Sequence, residues 1–181
     1  MSKKYLHIRI SGPSASGKTT LAKFFKDHKK NAIDGDLYTG MWIDKNGKRV
    51  RANYKKLGKN INKWAEDKEF KWVCDEVKLK KLILKNKNKE LYIFGGPAPN
   101  NPKQFFDKLF WLHANKNLIL KRIKLRLKDK SSYHRYGETK KQRDEILRSL
   151  KYTNKKIKAE GYIIMDASLK PNEIFDIICN N

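Results

Sequence analysis

The chain has 181 residues, with 43 Lys and Arg against 19 Asp and Glu, for a net charge of +24. That length suits one domain, residues 1–181, with a real core, and no run of eighteen apolar residues would span a membrane. Cys74, Cys179 and four scattered histidines offer neither a disulfide framework nor zinc-ligand spacing. A reducing cytoplasm fits this usage, and Met1 to Lys4 leads straight into the first strand with no room for a signal peptide.

The charge has two readings. One is a nucleic-acid surface. The other is compositional bias, because lysine dominates, only eight residues are arginine, and the abundance of Lys, Asn and Ile is what an AT-rich genome encodes. Scarce arginine and lysines spread along the chain favour bias. Either way, the surface should attract polyanions non-specifically at low salt.

In chain order, Tyr5 to Ile10 alternates with Leu6, Ile8 and Ile10 apolar and predicts a strand. Gly12-Pro13-Ser14-Ala15-Ser16-Gly17-Lys18-Thr19 follows. It reads G-x-x-x-x-G-K-T, the P-loop, and Leu21, Phe24 and Phe25 open a helix running to about His28. Glycines let backbone N–H groups curl around phosphate, and the helix adds its positive end. In this pattern Lys18 reaches the β- and γ-phosphates of a nucleoside triphosphate, the Thr19 hydroxyl is a Mg²⁺ ligand, and Thr20 completes the phosphate-binding run. Asn31 to Ile33 is a short strand, with Asp34-Gly35-Asp36 at its carboxyl end, where ligand groups gather in parallel sheets. Asp34 is a candidate for positioning Mg²⁺ and Asp36 for a general base; an ordinary turn is the plainer alternative.

Residues 37–66 carry an Asn46-Gly47 turn signal followed by Lys48, Arg49 and Arg51. They are read as an acceptor-binding insertion or a solvated loop. Trp42, Trp64 and Trp72 are packing anchors, or one stacks on a base. Lys55 to Lys85 is expected to be helical in two pieces. Leu91 to Phe94 is an apolar strand ending in Gly95-Gly96-Pro97, which permits close backbone approach or simply turns. Lys108 to Leu112 is the next strand. Asn115 or Asn117 caps a helix bearing Arg122 and Arg126, and a short polar lid, 128–137, holds Arg135. Near Thr139 a long helix begins, and Gly161 ends it. Tyr162 to Met165 is the last strand, with Ser168 as a candidate cap for the final helix.

Five strand–helix units imply a three-layer α/β/α fold around a five-stranded parallel sheet. On the P-loop, the Asp34-Gly35-Asp36 acids, Gly95-Gly96, the Lys108-to-Leu112 strand with Arg122 and Arg126, and Tyr162 to Ser168, the chain resembles P-loop kinases of the nucleoside monophosphate kinase and shikimate–gluconate kinase type. The resemblance implies the P-loop NTPase fold with strand order 2-3-1-4-5. It also implies ATP and Mg²⁺ as cofactors, transfer of the γ-phosphoryl to a small acceptor, and lid arginines, Arg126, Arg122 and Arg135, at the transferring group. The third glycine of shikimate kinases is absent after Gly96, and no acid ends the Leu91-to-Phe94 strand, so Asp34 or Asp36 must stand in for the usual metal-orienting aspartate. A polynucleotide 5′-hydroxyl kinase and a nucleotide-binding module without an acceptor remain as alternatives. A GTPase would carry an Asn-Lys-x-Asp, which is missing.

Overall fold

The computed structural model describes residues 5–128 and 136–180, with only the backbone for Lys59 and 151–156. β1 (His7–Ser11) lies at the centre of a parallel sheet flanked by β6 (Leu91–Phe94) and β7 (Lys108–His113), with β2 (Ala32–Asp34) and β8 (Ile163–Asp166) outside. Ile10 pairs with Phe94 on one side and Phe110 on the other, and Phe110 pairs with Ile163. Counting these five strands alone, the order is the expected 2-3-1-4-5.

Helices cover both faces, so the interior of the sheet is largely apolar, with β6 (Leu91 to Phe94) buried along its whole length. In β6, Tyr92 and Phe94 join one core with Ile8, Ile10, Phe25 and Ile123, whereas Leu91 and Ile93 join a second with Leu79, Leu109 and Ile157. α1 (Lys18–Asp27), α6 (Lys116–Lys128) and α8 (Pro171–Asn180) pack on the first core; α5 (Glu76–Lys85) packs on the second. Full burial of each such side chain is worth about 1.5–3 kcal/mol.

The helix starts follow local chemistry. Asn115 Oδ1 accepts the Leu118 N–H at 2.9 Å and caps α6. Thr139 Oγ1 accepts from Gln142 N, and Gln142 Oε1 accepts from Gly137 N, a capping box opening α7 (Lys140–Ala159). At the end of α7, Gly161 sits at φ +79°, as expected for a helix stop. Ser168, expected to cap α8, does not do so. Its N–H donates to Asp166 Oδ1, and α8 opens instead on Pro171, with Glu173 Oε2 accepting from Lys170 N at 2.7 Å.

The larger difference lies between β2 and β6. Lys71–Cys74, expected within a helical stretch, is a strand, β5. It pairs antiparallel with β3 (Gly40–Ile43), which pairs with β4 (Arg49–Val50), giving a second sheet of order β4-β3-β5. The Asn46-Gly47 signal makes the β3–β4 turn, with Asp44 Oδ1 accepting from Asn46 N and Lys48 N. α3 (Tyr54–Leu57) and α4 (Ile61–Asp67) supply the helical part. A four-residue strand is too short to show a period of its own, and its pairing with β3 overrides the local pattern. Trp42 lies opposite Trp72, ring centroids 4.8 Å apart, and Trp64 packs edge-on against Trp42. Gly40 lies under the Trp72 ring: a Cβ there would come 1.9 Å from Trp72 Cζ2, so no other residue fits. The three tryptophans are thus packing anchors of the second sheet. Among the described residues no helix is long and apolar enough to cross a membrane.

Candidate functional site

The P-loop connects β1 to α1 through a tight turn. Ser16 N donates to Pro13 O, Gly17 occupies φ +103° at the head of α1, and Ala15 takes φ +64°. Lys18 folds back over the loop, its ammonium donating to the carbonyls of Gly12 at 2.9 Å and Pro13 at 2.7 Å. Thr19 and Thr20 stand exposed on the first turn of α1.

Asp34 ends β2, and its Oδ1 accepts from Asp36 N at 2.9 Å, capping the short helix α2 (Gly35–Tyr38). The expected turn of the Asp-Gly-Asp run is therefore one helical turn, Asp36 on its first residues. Gly35 lies hard against the turn after β6, since a Cβ on Gly35 would meet Gly95 O at 2.5 Å and one on Gly96 would meet Gly35 C at 2.7 Å. Only glycines allow the two backbones to touch in this way. The contact brings the two sides of the site together. The position a Cβ on Gly95 would take lies 3.2 Å from Lys18 Cε and 3.4 Å from Asp36 Oδ2. The other oxygen of Asp36 accepts from Trp72 Nε1 at 3.3 Å, tying α2 to the second sheet. β6 ends at Phe94 without an acid.

Burial pulls the Lys18 ammonium down to about 8; the charges of Asp36 and, more weakly, Asp34 oppose the fall, and Arg9 and Arg126 deepen it. Above about pH 8 the nucleotide-free lysine therefore gives up its proton. Phosphate beside it restores the preference for the charged form. If the loop binds ATP, binding should accordingly take up about half a proton per molecule at pH 8, most of one near pH 9, and almost none at pH 7, with the ordinary lysine value of 10.5 as the upper limit of the window. Calorimetry in buffers of different ionisation enthalpy measures the uptake, and the affinity should fall with pH over the same window.

The arginines are placed unequally. Arg122 Nη1 donates to Ser16 O at 2.6 Å and Nη2 to Ala167 O at 2.8 Å, so its guanidinium lies against Gly17 and bridges the P-loop to the loop after β8. Arg126 donates to Tyr136 O, and its Nε is buried without a hydrogen-bond partner. Arg135 and most of the expected 128–137 lid lie outside the described residues. The structure thus gathers Lys18, Asp36, Asp34, Arg122 and Arg126 around one P-loop.

Two further buried charged residues were not singled out from the sequence, Arg9 beside the Gly95–Gly96 turn and Asp75 at the neck of the second sheet. Arg9, on β1, is 1 % exposed and donates from Nη2 to Gly96 O at 2.7 Å. Asp75 caps α5 through Lys78 N and pairs with Arg49 at 3.3 Å and Lys78 at 3.5 Å; an Asp directly before an apolar helical run was the available signal.

No family model and no curated protein sequence matches the chain. Solved structures do match along nearly its whole length. Shikimate kinase from Acinetobacter baumannii, in complex with shikimate, is 16 % identical with a TM-score of 0.56, covering 98 % of this chain and 94 % of that one. Deoxyadenosine kinase from M. mycoides with bound dATP is 14 % identical with a TM-score of 0.53, covering 97 % and 98 %. A gluconokinase from Sinorhizobium meliloti 1021 is 14 % identical with a TM-score of 0.53, covering 95 % and 89 %. The chain has the fold of the small-molecule P-loop kinases.

Proposed function

We propose that the chain is an ATP-dependent phosphotransferase that moves the γ-phosphoryl of Mg-ATP to a small acceptor, such as a nucleotide or a hydroxylated metabolite. The observation that carries this reading is the meeting of the Lys18 stem and the Asp36 carboxylate at Gly95, which sets the charge of Asp36 on the P-loop lysine. The fold shared with shikimate, deoxyadenosine and gluconate kinases supports it.

The residues suit the group they would hold. The loop from Gly12 to Thr20, Pro13 apart, carries backbone N–H groups up to the positive end of α1. Thr19 and Asp34 supply hard oxygen ligands of the kind Mg²⁺ prefers. The metal, when bound, neutralises charge between the β- and γ-phosphate oxygens. Lys18 exchanges its two carbonyl partners for phosphate oxygens, Arg122 and Arg126 add cationic donors, and Asp36 orients the acceptor hydroxyl and takes its proton. Arg135 takes the remaining lid role. Residues 37–66, continued through β5, form the acceptor-binding insertion.

The experiment is ADP release with a panel of hydroxylated metabolites, nucleosides and nucleotides. One or more small acceptors should raise release well above the acceptor-free rate. The net charge of +24 keeps a polynucleotide acceptor in the test. An oligonucleotide with a 5′-hydroxyl and the same strand with a 5′-phosphate should bind alike and stimulate neither. Their binding should weaken with salt by a log–log slope of about −0.7 per phosphate contact. Stimulation by the 5′-hydroxyl strand alone would replace the small acceptor with a polynucleotide.

A further inference from the structure

Arg9 stands at the middle of the central strand, between Ile8 and Ile10, which face the first core. Its own side chain points to the opposite face, which helices also cover. The Phe106 ring lies 5.8 Å from Cζ, one hydrogen bond reaches Gly96 O at 2.7 Å, and Nε and Nη1 have no hydrogen-bond partner. Among the described residues no carboxylate forms an ion pair with it. A guanidinium does not shed its proton to escape burial. Burying one charge without its counter-charge carries a large desolvation penalty.

The position of this unpaired cation is specific. Its charge is felt both by Lys18 in the P-loop and by Cys74 at the end of β5. Its one partner, Gly96, belongs to the turn on which Lys18 and Asp36 converge. We propose that Arg9 recognises an anionic group, a carboxylate or a phosphate, on the phosphoryl acceptor, which supplies the counter-charge that no described residue provides. The inference rests on the kinase reading and adds the acceptor's charge to it. Access to Nε and Nη1 needs a shift of the Gly95–Gly96 turn, which Arg9 holds through that single hydrogen bond.

Thermal melting of the full chain saturated with ADP tests this through binding, without turnover. The probes are matched pairs: shikimate with its methyl ester, gluconate with glucose, and 2′-deoxycytidine 5′-monophosphate with 2′-deoxycytidine. At least one acid should raise the melting temperature by about 5–10 °C at roughly a hundredfold excess over its Kd, and its neutral counterpart should not. Whether a carboxylate or the phosphate acts identifies the group. Arg9→Met should lose the shift and Arg9→Lys should keep part of it. Without probe, Arg9→Met should melt no lower than wild type, because an unpaired buried charge has been replaced by an apolar chain of similar length.

Four results would overturn the proposal: a shift that survives in Arg9→Met, a neutral probe acting as well as its acid, no acid acting at all, or Arg9→Met melting several degrees lower without probe. Each would leave Arg9 as a brace for Gly96. Failure of the kinase reading would appear separately, as absence of acceptor-dependent ADP release.

Discussion

Lys18→Ala should lower phosphoryl transfer by about 10²–10³-fold, the usual cost of removing one preorganised charge-stabilising donor. The ammonium already sits inside the loop, 2.9 Å and 2.7 Å from the carbonyls of Gly12 and Pro13. Meeting the transition state therefore requires an exchange of partners and no large movement. The fold should survive, because Lys18 belongs to neither hydrophobic core. ADP release measured beside thermal melting checks both halves. Wild-type turnover in the variant would remove the P-loop from the mechanism, and a collapse of the melting temperature would make the lysine structural.

Asp36→Asn should lower turnover by about 10²–10⁴-fold, the range for a lost general base, and leave the KM for ATP nearly unchanged. The amide keeps the shape of the side chain and an acceptor for Trp72 Nε1, so the loss isolates the charge. Trp72→Phe provides the comparison. It removes the hydrogen bond to the carboxylate, a net contribution of about 0.5–1.5 kcal/mol, together with the part of the indole that covers Gly40, and should slow turnover by several-fold, with thermal melting beside it to read the packing loss. Equal losses in the two variants would mean that the contact between α2 and the second sheet matters, and the carboxylate does not. Steady-state kinetics with a working acceptor distinguishes these outcomes.

The parallel sheet was legible because its strands are short runs rich in apolar residues, β6 buried throughout, each bounded by a loop with its own signature. The P-loop, Gly95-Gly96 and Gly161 mark such boundaries. Asn115 and Thr139 were legible as caps because capping is local chemistry. The second sheet was not, since β5 is four residues long and owes its state to Gly40 and Trp42 thirty residues earlier. Arg9 was hidden by the alternation of Leu6, Ile8 and Ile10. Alternation suggests a solvated second face, whereas a sheet covered on both sides has none. A charged residue among the central strand's apolar neighbours was the signal, and it became readable only once the strand's place in the sheet was known. Arg122 was visible as a cation on a helix, but its two carbonyl partners lie 106 and 45 residues away in sequence.

The segment from Gly40 to Cys74 leaves and rejoins the molecule at nearly one place. Gly40 pairs with Cys74, and Thr39 O accepts from Asp75 N at 2.7 Å. An excursion pinned at its neck in this way can be lengthened, shortened or exchanged with little strain on the five-stranded frame, because the entropy of closing it is already met at the neck. Its hydrogen bond from Trp72 to Asp36, and its ion pairs from Glu66 to Lys141 and from Arg49 to Asp75, are junctions that a replacement would have to rebuild. The architecture separates what can drift from what must stay. Under the proposed function, selection could rewrite the choice of acceptor in the excursion while β1, α1 and the P-loop remain as they are.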